Sequence, residues 1–380
     1  MSFKRHISVI LDLQFGSTGK GLIAGFLAER DRPDTVVTAW AANAGHTYIN
    51  RSGRKFIHTM LANGIVSPNL KQVLLGPGSV IDPDNLFKEI EECLDVLGSA
   101  KIYCHANAAV ITQAHRDEEA GPMTKIGSTK KGCGAAAIHR IRRDPDNLNN
   151  AATLLAGHPV SDYVTVVSPA EYNALLDEGR VIQVEGAQGY SLSMYHGFYP
   201  YCTSRDVSTA QVLADCAIPL SWQFGVLKVI GTARTYPIRV ANRFNEQGEQ
   251  VGWSGPAFPD QEEISFEDIG QQVELTTVTK LPRRIFTFSE EQIRQAVRQN
   301  GVSEIFLNFA NYCKSEAELA SIINKIDSTG AHVRYLGMGP SVTDVFDVND
   351  GAAVMKGHVE KSRYVAHLLS KSASSEGGEE

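Results

Sequence analysis

Short, almost wholly apolar runs alternate along this chain with longer stretches of helical spacing. The apolar runs are Ile7–Leu13, Thr35–Thr38, Val73–Leu75, Val164–Val167, Val181–Val184, Leu227–Ile230, Glu304–Leu307 and Val333–Leu336. Runs this short, rich in Val, Ile and Leu, read as strands buried on both faces. Between them, Leu22–Glu29, Pro83–Leu97, Glu290–Gln299 and Ser315–Ile326 carry apolar residues at helical intervals. The alternation predicts an α/β fold, a large and mostly parallel central sheet flanked by helices. No internal repeat is visible. Asn242 to Gly255 is polar and reads as a surface excursion, and Ser372–Glu380, mostly Ser, Gly and Glu, reads as a disordered tail. No linker separates two units, so residues 1–371 are expected to form a single domain ahead of the tail at 372–380.

Composition narrows the partners. A net charge of −7 over 380 residues argues against a general nucleic-acid or membrane surface. Any phosphate binding must therefore come from local backbone N–H groups and single cations. The six cysteines form no CxxC pair or regular spacing, so reduced thiols are expected rather than a zinc site or disulfide framework. No apolar run approaches the roughly 20 residues of a membrane span. A cytoplasmic protein is expected.

The first candidate chemistry lies between the first strand and first helix, in Gly16-Ser17-Thr18-Gly19-Lys20-Gly21. Glycines let a backbone approach an anion, and a helix N-terminus favours negative charge. Lys20 is placed to meet a terminal phosphate. The run is shorter than GxxxxGK[ST], so the generic phosphate-loop pattern does not fit. On this loop alone a structural turn stays open.

Three further runs follow: Asn43-Ala44-Gly45-His46-Thr47, Glu185-Gly186-Ala187-Gln188-Gly189, and Tyr199-Pro200-Tyr201-Cys202-Thr203-Ser204. Together the four resemble, in order, the GDEGKGK, NAGHT, EGAQG and YPYVTSS blocks of the adenylosuccinate synthetases, from about Ile7 to Pro340. The resemblance implies a P-loop-NTPase-like fold, a homodimer, Mg²⁺, and a ligase that forms a C–N bond. In that family the purine 6-oxygen takes the γ-phosphoryl group of a nucleoside triphosphate, and the amino group of L-aspartate then displaces it.

The resemblance also implies roles. His46 matches the family's catalytic histidine, with Ser17, Lys20 and Gln188 completing the catalytic set. Gly16, Thr18, Gly19, Lys20, Gly21 and Thr47 would hold the triphosphate; Asn308, Asn311, Gly339 and Pro340 would hold its base. Ser17, Asn43, Ser128, Thr129, Gln188, Thr203 and Val240 would hold the acceptor nucleotide, joined by Arg142 or Arg143 from the other subunit. Thr277, Val278, Thr279 and Arg283 fall on the loop that closes over aspartate. A planar guanidinium at Arg283 suits a carboxylate. The metal would meet Ser17 and the Gly45 carbonyl.

Three departures are informative. Ser17 replaces the family's catalytic aspartate, and a hydroxyl is a poor general base. Guanine carries a 2-amino group that hypoxanthine lacks, and the smaller Ser17 leaves room for it, which points to a guanine nucleotide as acceptor. Asp12, four residues before Gly16, is a candidate to assist with metal or water. Asn308-Phe309-Ala310-Asn311 stands where the family reads guanine with an aspartate. Asn311 both donates and accepts, so an adenine triphosphate, ATP or dATP, is the better donor. Ser341 likewise replaces an aspartate after Gly339-Pro340. Leu281 replaces an arginine near the ribose and favours a deoxyribonucleotide. These changes resemble the bacteriophage 2-aminoadenylosuccinate synthetase branch, which joins aspartate to dGMP and shares LDLQFGSTGKGLIAG (Leu11–Gly25) and TSRD (Thr203–Asp206). The competing readings are a conventional synthetase using IMP and GTP, and a non-catalytic purine nucleotide sensor.

Overall fold

The computed structural model describes residues 5–120, 130–219, 226–276 and 280–349. Ten strands form one sheet: β1 (His6–Asp12), β2 (Thr35–Thr38), β3 (Gln72–Leu75), β4 (Lys101–His105), β5 (Val164–Val167), β6 (Val181–Gly189), β7 (Val226–Arg234), β8 (Glu304–Asn308), β9 (His332–Gly337) and β10 (Val345–Asp347). Their spatial order is β10-β9-β8-β7-β1-β6-β2-β3-β4-β5. Every neighbouring pair is parallel except β9 with β10. The expected α/β architecture is therefore present, with an antiparallel edge that the apolar pattern did not signal.

Both faces of the sheet are covered, as a parallel sheet requires. Along β1, Ile10 joins one core cluster while Ile7, Val9 and Leu11 join the other. Helix α1 (Lys20–Asp31) packs Leu22, Ile23, Ala24 and Leu27 into the first cluster. Helices α2 (Pro169–Glu178), α3 (Glu290–Asn300) and α4 (Glu316–Asp327) cover the second with Tyr172, Ile293 and Ile322. The Pro83–Leu97 helix is not continuous. It runs Pro83–Glu92, breaks at Cys93 with φ −120° and ψ 11°, and resumes over Leu94–Leu97. The polar stretch from Asn242 forms a small hairpin, Arg243–Phe244 against Gln250–Gly252. All six cysteines are unpaired, and burial pushes the Cys104 and Cys133 thiols up to about 12. No helix among the described residues is long and apolar enough to cross a membrane.

Close approach, not flexibility, explains one glycine of α1. A Cβ on Gly25 would lie 2.3 Å from the Tyr48 ring, and Tyr48 is fully buried. Gly25→Ala is expected to lower the unfolding free energy by about 1–3 kcal/mol, because overpacking outweighs the helix propensity gained. Denaturant unfolding checks the sign; a stabilised variant would show that the ring yields freely.

Candidate active site

The C-terminal ends of β1, β6, β7 and β8 bring the motif residues together. Parallel register sets Asp12 level with Gly189 on one side and with Thr232 on the other. From Asp12 the chain turns through the glycine loop into α1. Gly16 and Gly19 both have φ 94°, and Ser17 has φ 57°. Gly189 is where the loop crosses β6: a Cβ there would lie 2.3 Å from the Gln14 carbonyl oxygen. Gly19 is the N-cap of α1, without a side-chain cap and with no acidic residue in the first turn. The first-turn N–H groups keep the free, positive character that binds phosphate.

Asp12 shapes this loop. One carboxylate oxygen accepts from the Gln14 N–H at 2.8 Å and the Gly16 N–H at 3.3 Å. The other accepts from Thr18 Oγ1 at 2.5 Å and Lys20 Nζ at 3.2 Å. Thr18 also meets Thr232 hydroxyl to hydroxyl. With both oxygens engaged and 1% of its surface exposed, Asp12 holds the loop and stores the lysine charge. Lys20 makes a second contact, donating to the Gln188 carbonyl at 2.8 Å. Ser17 stands exposed at the tip of the loop.

Gln188, with φ 62°, donates its amide to Asn43 Oδ1 at 2.8 Å, so two expected acceptor-site residues touch directly. His46 opens a two-stranded ribbon, His46–Ile49 with Lys55–His58. It is buried under Trp40, ring centroids 4.1 Å apart, and its Nδ1 lies 2.8 Å from Glu185 Oε1. Glu185 also accepts from the Asn63 backbone N–H at 2.8 Å, and its backbone carbonyl accepts from Trp40 Nε1 at 2.6 Å. A carboxylate only accepts, so Nδ1 carries the proton in this contact and Nε2 does not face Glu185. Burial lowers the His46 pKa, while the hydrogen bond and charge of Glu185 pull it back. The net effect favours the neutral imidazole. Glu185 was missed as a functional residue in the sequence. Its signal was a carboxylate on a buried strand, inside a motif already noticed for its glutamine.

The remaining expected residues are distributed around this cluster. Thr203 is fixed by its N–H to the Leu192 carbonyl at 2.7 Å. The neighbouring Arg205 donates to the Ala39 and Gly78 carbonyls, tying this strap to the end of β2. Gly45, Thr47 and Val240 are exposed. Asn308 spends its side chain on backbone, donating to the Thr18 carbonyl at 3.3 Å and accepting from the Phe309 N–H at 2.8 Å. It thus fastens the glycine loop to β8, whereas Asn311 is exposed on the next turn. Gly339-Pro340 follow β9, and Ser341 caps the turn after them through Asp344. Arg142 and Arg143 are exposed at the end of helix Cys133–Arg142. Ser128, Thr129, Thr277, Val278 and Thr279 lie outside the described residues.

The stem of the expected aspartate loop is described. Thr276 and Leu281 pair through backbone, and Arg283 N–H donates to the Glu274 carbonyl at 2.8 Å. The Arg283 guanidinium donates Nε to the Leu275 carbonyl at 3.4 Å. Burial alone would raise the Glu274 carboxyl, but Arg234 and Arg283 pull it below the usual range. No group of three or more His, Cys, Asp or Glu among the described residues is arranged to hold a metal. Exposed Ser17 and Gly45 instead offer neutral oxygens. That donor set fits a hard divalent cation whose other ligands are water and phosphate oxygens.

A strand-ended, uncapped phosphate loop with a buried lysine, beside a carboxylate-held histidine, defines a phosphoryl-handling site. The adenylosuccinate synthetase family pattern matches residues 9–153 and 151–324. The N6-succino-2-amino-2'-deoxyadenylate synthase of Acinetobacter phage SH-Ab 15497 is 54% identical over 369 residues, covering 91% of this chain and 95% of its own. The adenylosuccinate synthetase of Thermococcus sibiricus is 30% identical, covering 90% and 98%. Among solved structures, the succinoaminodeoxyadenylate synthetase of cyanophage S-2L, bound to dGMP and dATP as an energy donor, superposes with a TM-score of 0.85. It is 47% identical and covers 90% of this chain and 95% of its own. The chain belongs to the adenylosuccinate synthetase family of C–N bond-forming ligases. Within it, the phage synthases resemble the chain far more than the archaeal enzymes do.

Proposed function

We propose that this protein joins L-aspartate to dGMP at the expense of ATP or dATP, giving 2-amino-2'-deoxy-N6-succinyl-AMP on a route to 2-aminoadenine DNA. The observation that carries the reading is Ser17: a small, neutral, exposed side chain at the tip of a phosphate loop where the family places an aspartate. It leaves space for the 2-amino group of guanine and offers an oxygen to that edge. The names of the phage relatives agree with this substrate.

The chemistry runs in two steps. The purine N1 gives its proton to solvent water, the 6-oxygen attacks the γ-phosphorus, and the nucleoside diphosphate leaves. The aspartate amino group then attacks C6, and inorganic phosphate leaves with the former 6-oxygen. Lys20 and the first-turn N–H groups of α1 bind the transferring phosphate. Nε2 of His46 faces the developing charge on the 6-oxygen. Asn43, Gln188, Thr203 and Val240 orient dGMP, with Ser128 and Thr129. Arg283, with Thr277, Val278 and Thr279, receives aspartate. Ser17 and the Gly45 carbonyl would hold a Mg²⁺ ion, which would supply positive charge to the triphosphate. The protein works as one domain over residues 1–371, since one sheet takes strands from His6 to Asp347. It acts in the host cytoplasm as a homodimer in which Arg142 or Arg143 reaches the partner's nucleotide.

Purified protein with aspartate and Mg²⁺ is expected to release phosphate and form the succinyl nucleotide with dGMP plus ATP or dATP. Turnover with IMP plus GTP but not with dGMP plus ATP would instead establish the conventional reaction. Binding of dGMP without phosphate release from any donor would establish a sensor.

A further inference from the structure

Arg234, the last residue of β7, is used by none of the steps above, yet it touches three parts of the site. It is a fully buried arginine, and its guanidinium forms a two-point ion pair with Glu274 at 2.5 and 3.3 Å. The same group donates to the Ser17 carbonyl at 3.5 Å and lies 3.8 Å from the centre of the Phe309 ring. Its backbone N–H and carbonyl clasp the Gln14 side chain at 2.9 and 3.1 Å, at the root of the glycine loop. On the other side, Tyr312 donates its hydroxyl to Glu274 at 3.3 Å. Glycine loop, aspartate-loop stem and the aromatic turn after β8 therefore meet at one guanidinium.

Charge counting gives this junction direction. Among the described residues Arg234 and Arg283 face one carboxylate, Glu274, which leaves one positive charge to be matched. An incoming carboxylate supplies it at Arg283, the partly exposed member of the pair. A planar fork can hold Glu274 on one edge, present a face to Phe309 and still reach Ser17; an ammonium cannot do all three.

We infer that Arg234 is a positioning residue which, through Glu274, aligns the aspartate-binding stem with Ser17 and with the turn that receives the donor base. Ordering of the donor turn is thereby transmitted to the stem. The inference rests on the proposed reaction for its kinetic consequence, but its structural consequence is independent of which purine is the acceptor.

The test uses full-length Arg234→Lys, Glu274→Gln and the double variant. In steady-state assays with dGMP and ATP, each single variant is expected to lose tenfold or more in kcat/KM for aspartate, with the dGMP dissociation constant within twofold of wild type. The double variant is expected to lose no more than the worse single one, because both remove one contact. A second measurement needs no turnover: Mg-ATP is expected to slow amide hydrogen exchange at residues 274–276 and 280–283 of the stem in wild type and not in Glu274→Gln. Aspartate kinetics within threefold of wild type in both single variants, or losses that multiply in the double, would overturn the inference. So would equal ATP protection in wild type and variant, or none in wild type. A wild type that ignores dGMP but shows the ATP-dependent protection would sink the substrate assignment and keep the positioning role.

Discussion

His46→Ala is expected to reduce kcat by roughly 10²–10⁴-fold, the range ascribed to a positioned proton-transfer group. The affinity for dGMP should change little, because the purine contacts assigned to Asn43 and Gln188 remain. The structure gives the reason for the size of the effect. Glu185 fixes the ring through Nδ1 at 2.8 Å, and Trp40 covers it, so Nε2 is aimed before substrate arrives. Such preorganisation is what solvent cannot replace when the ring is removed. Glu185→Gln should give a smaller loss, about tenfold or more, since an amide still reaches Nδ1 but no longer stabilises an imidazolium. A proton balance accompanies this. Burial lowers the His46 pKa against the pull of Glu185, which favours the neutral ring. Arriving phosphates favour its charged form, so ligand binding near pH 7 should take up a proton. Calorimetry in buffers of different ionisation enthalpy measures that uptake, which His46→Ala should abolish. A His46→Ala enzyme retaining a tenth of wild-type kcat would remove the histidine from the mechanism.

Ser17→Asp should move the preference from dGMP towards a purine lacking the 2-amino group. The expected change in the ratio of kcat/KM values is roughly 10–200-fold, the scale on which a pocket distinguishes ligands differing by one small group. The backbone does not confound this experiment. Ser17 already occupies the left-handed region at φ 57°, where aspartate is one of the few side chains tolerated. The side chain is exposed, so the larger group meets no protein wall. The added carboxylate then acts only on what the site admits. Competition between dGMP and dIMP for limiting enzyme reads out the ratio directly; an unaltered dGMP preference would refute the steric argument.

Much of this was legible because its causes are local. Thr35–Thr38 and Val164–Val167 are built wholly of β-branched Val and Thr, and both are strands over those same residues. Lys101–His105 is a strand with a weak pattern, since its apolar stretch is only Ile102, Tyr103 and Cys104 between Lys101 and His105. Three-residue Val345–Asp347 is too short to carry a period. Helix α2 was missed although Ser168 and Glu171 form a capping box at its start, a signal visible in the chain. The glycine loop and the runs around His46 and Gln188 could be read because each is contiguous. The pairs that organise them could not. Glu185 meets His46 across 139 residues, and Glu274 meets Arg234 across 40, with no spacing rule to announce either. Asp12 was weighed for metal or water, yet its surroundings give it an internal task that only the folded loop reveals.

The resting place of the Lys20 ammonium has a consequence for selectivity. To meet a phosphate, that cation must share itself between an incoming oxygen and a carboxylate it already touches at 3.2 Å. A small, singly charged solute gains too little to compete with so well-sheltered a partner, while a triphosphate spreads several charges across the whole cradle at once. Drawing Lys20 away from Asp12 thus sets a threshold that a singly charged anion meets less readily than a triphosphate.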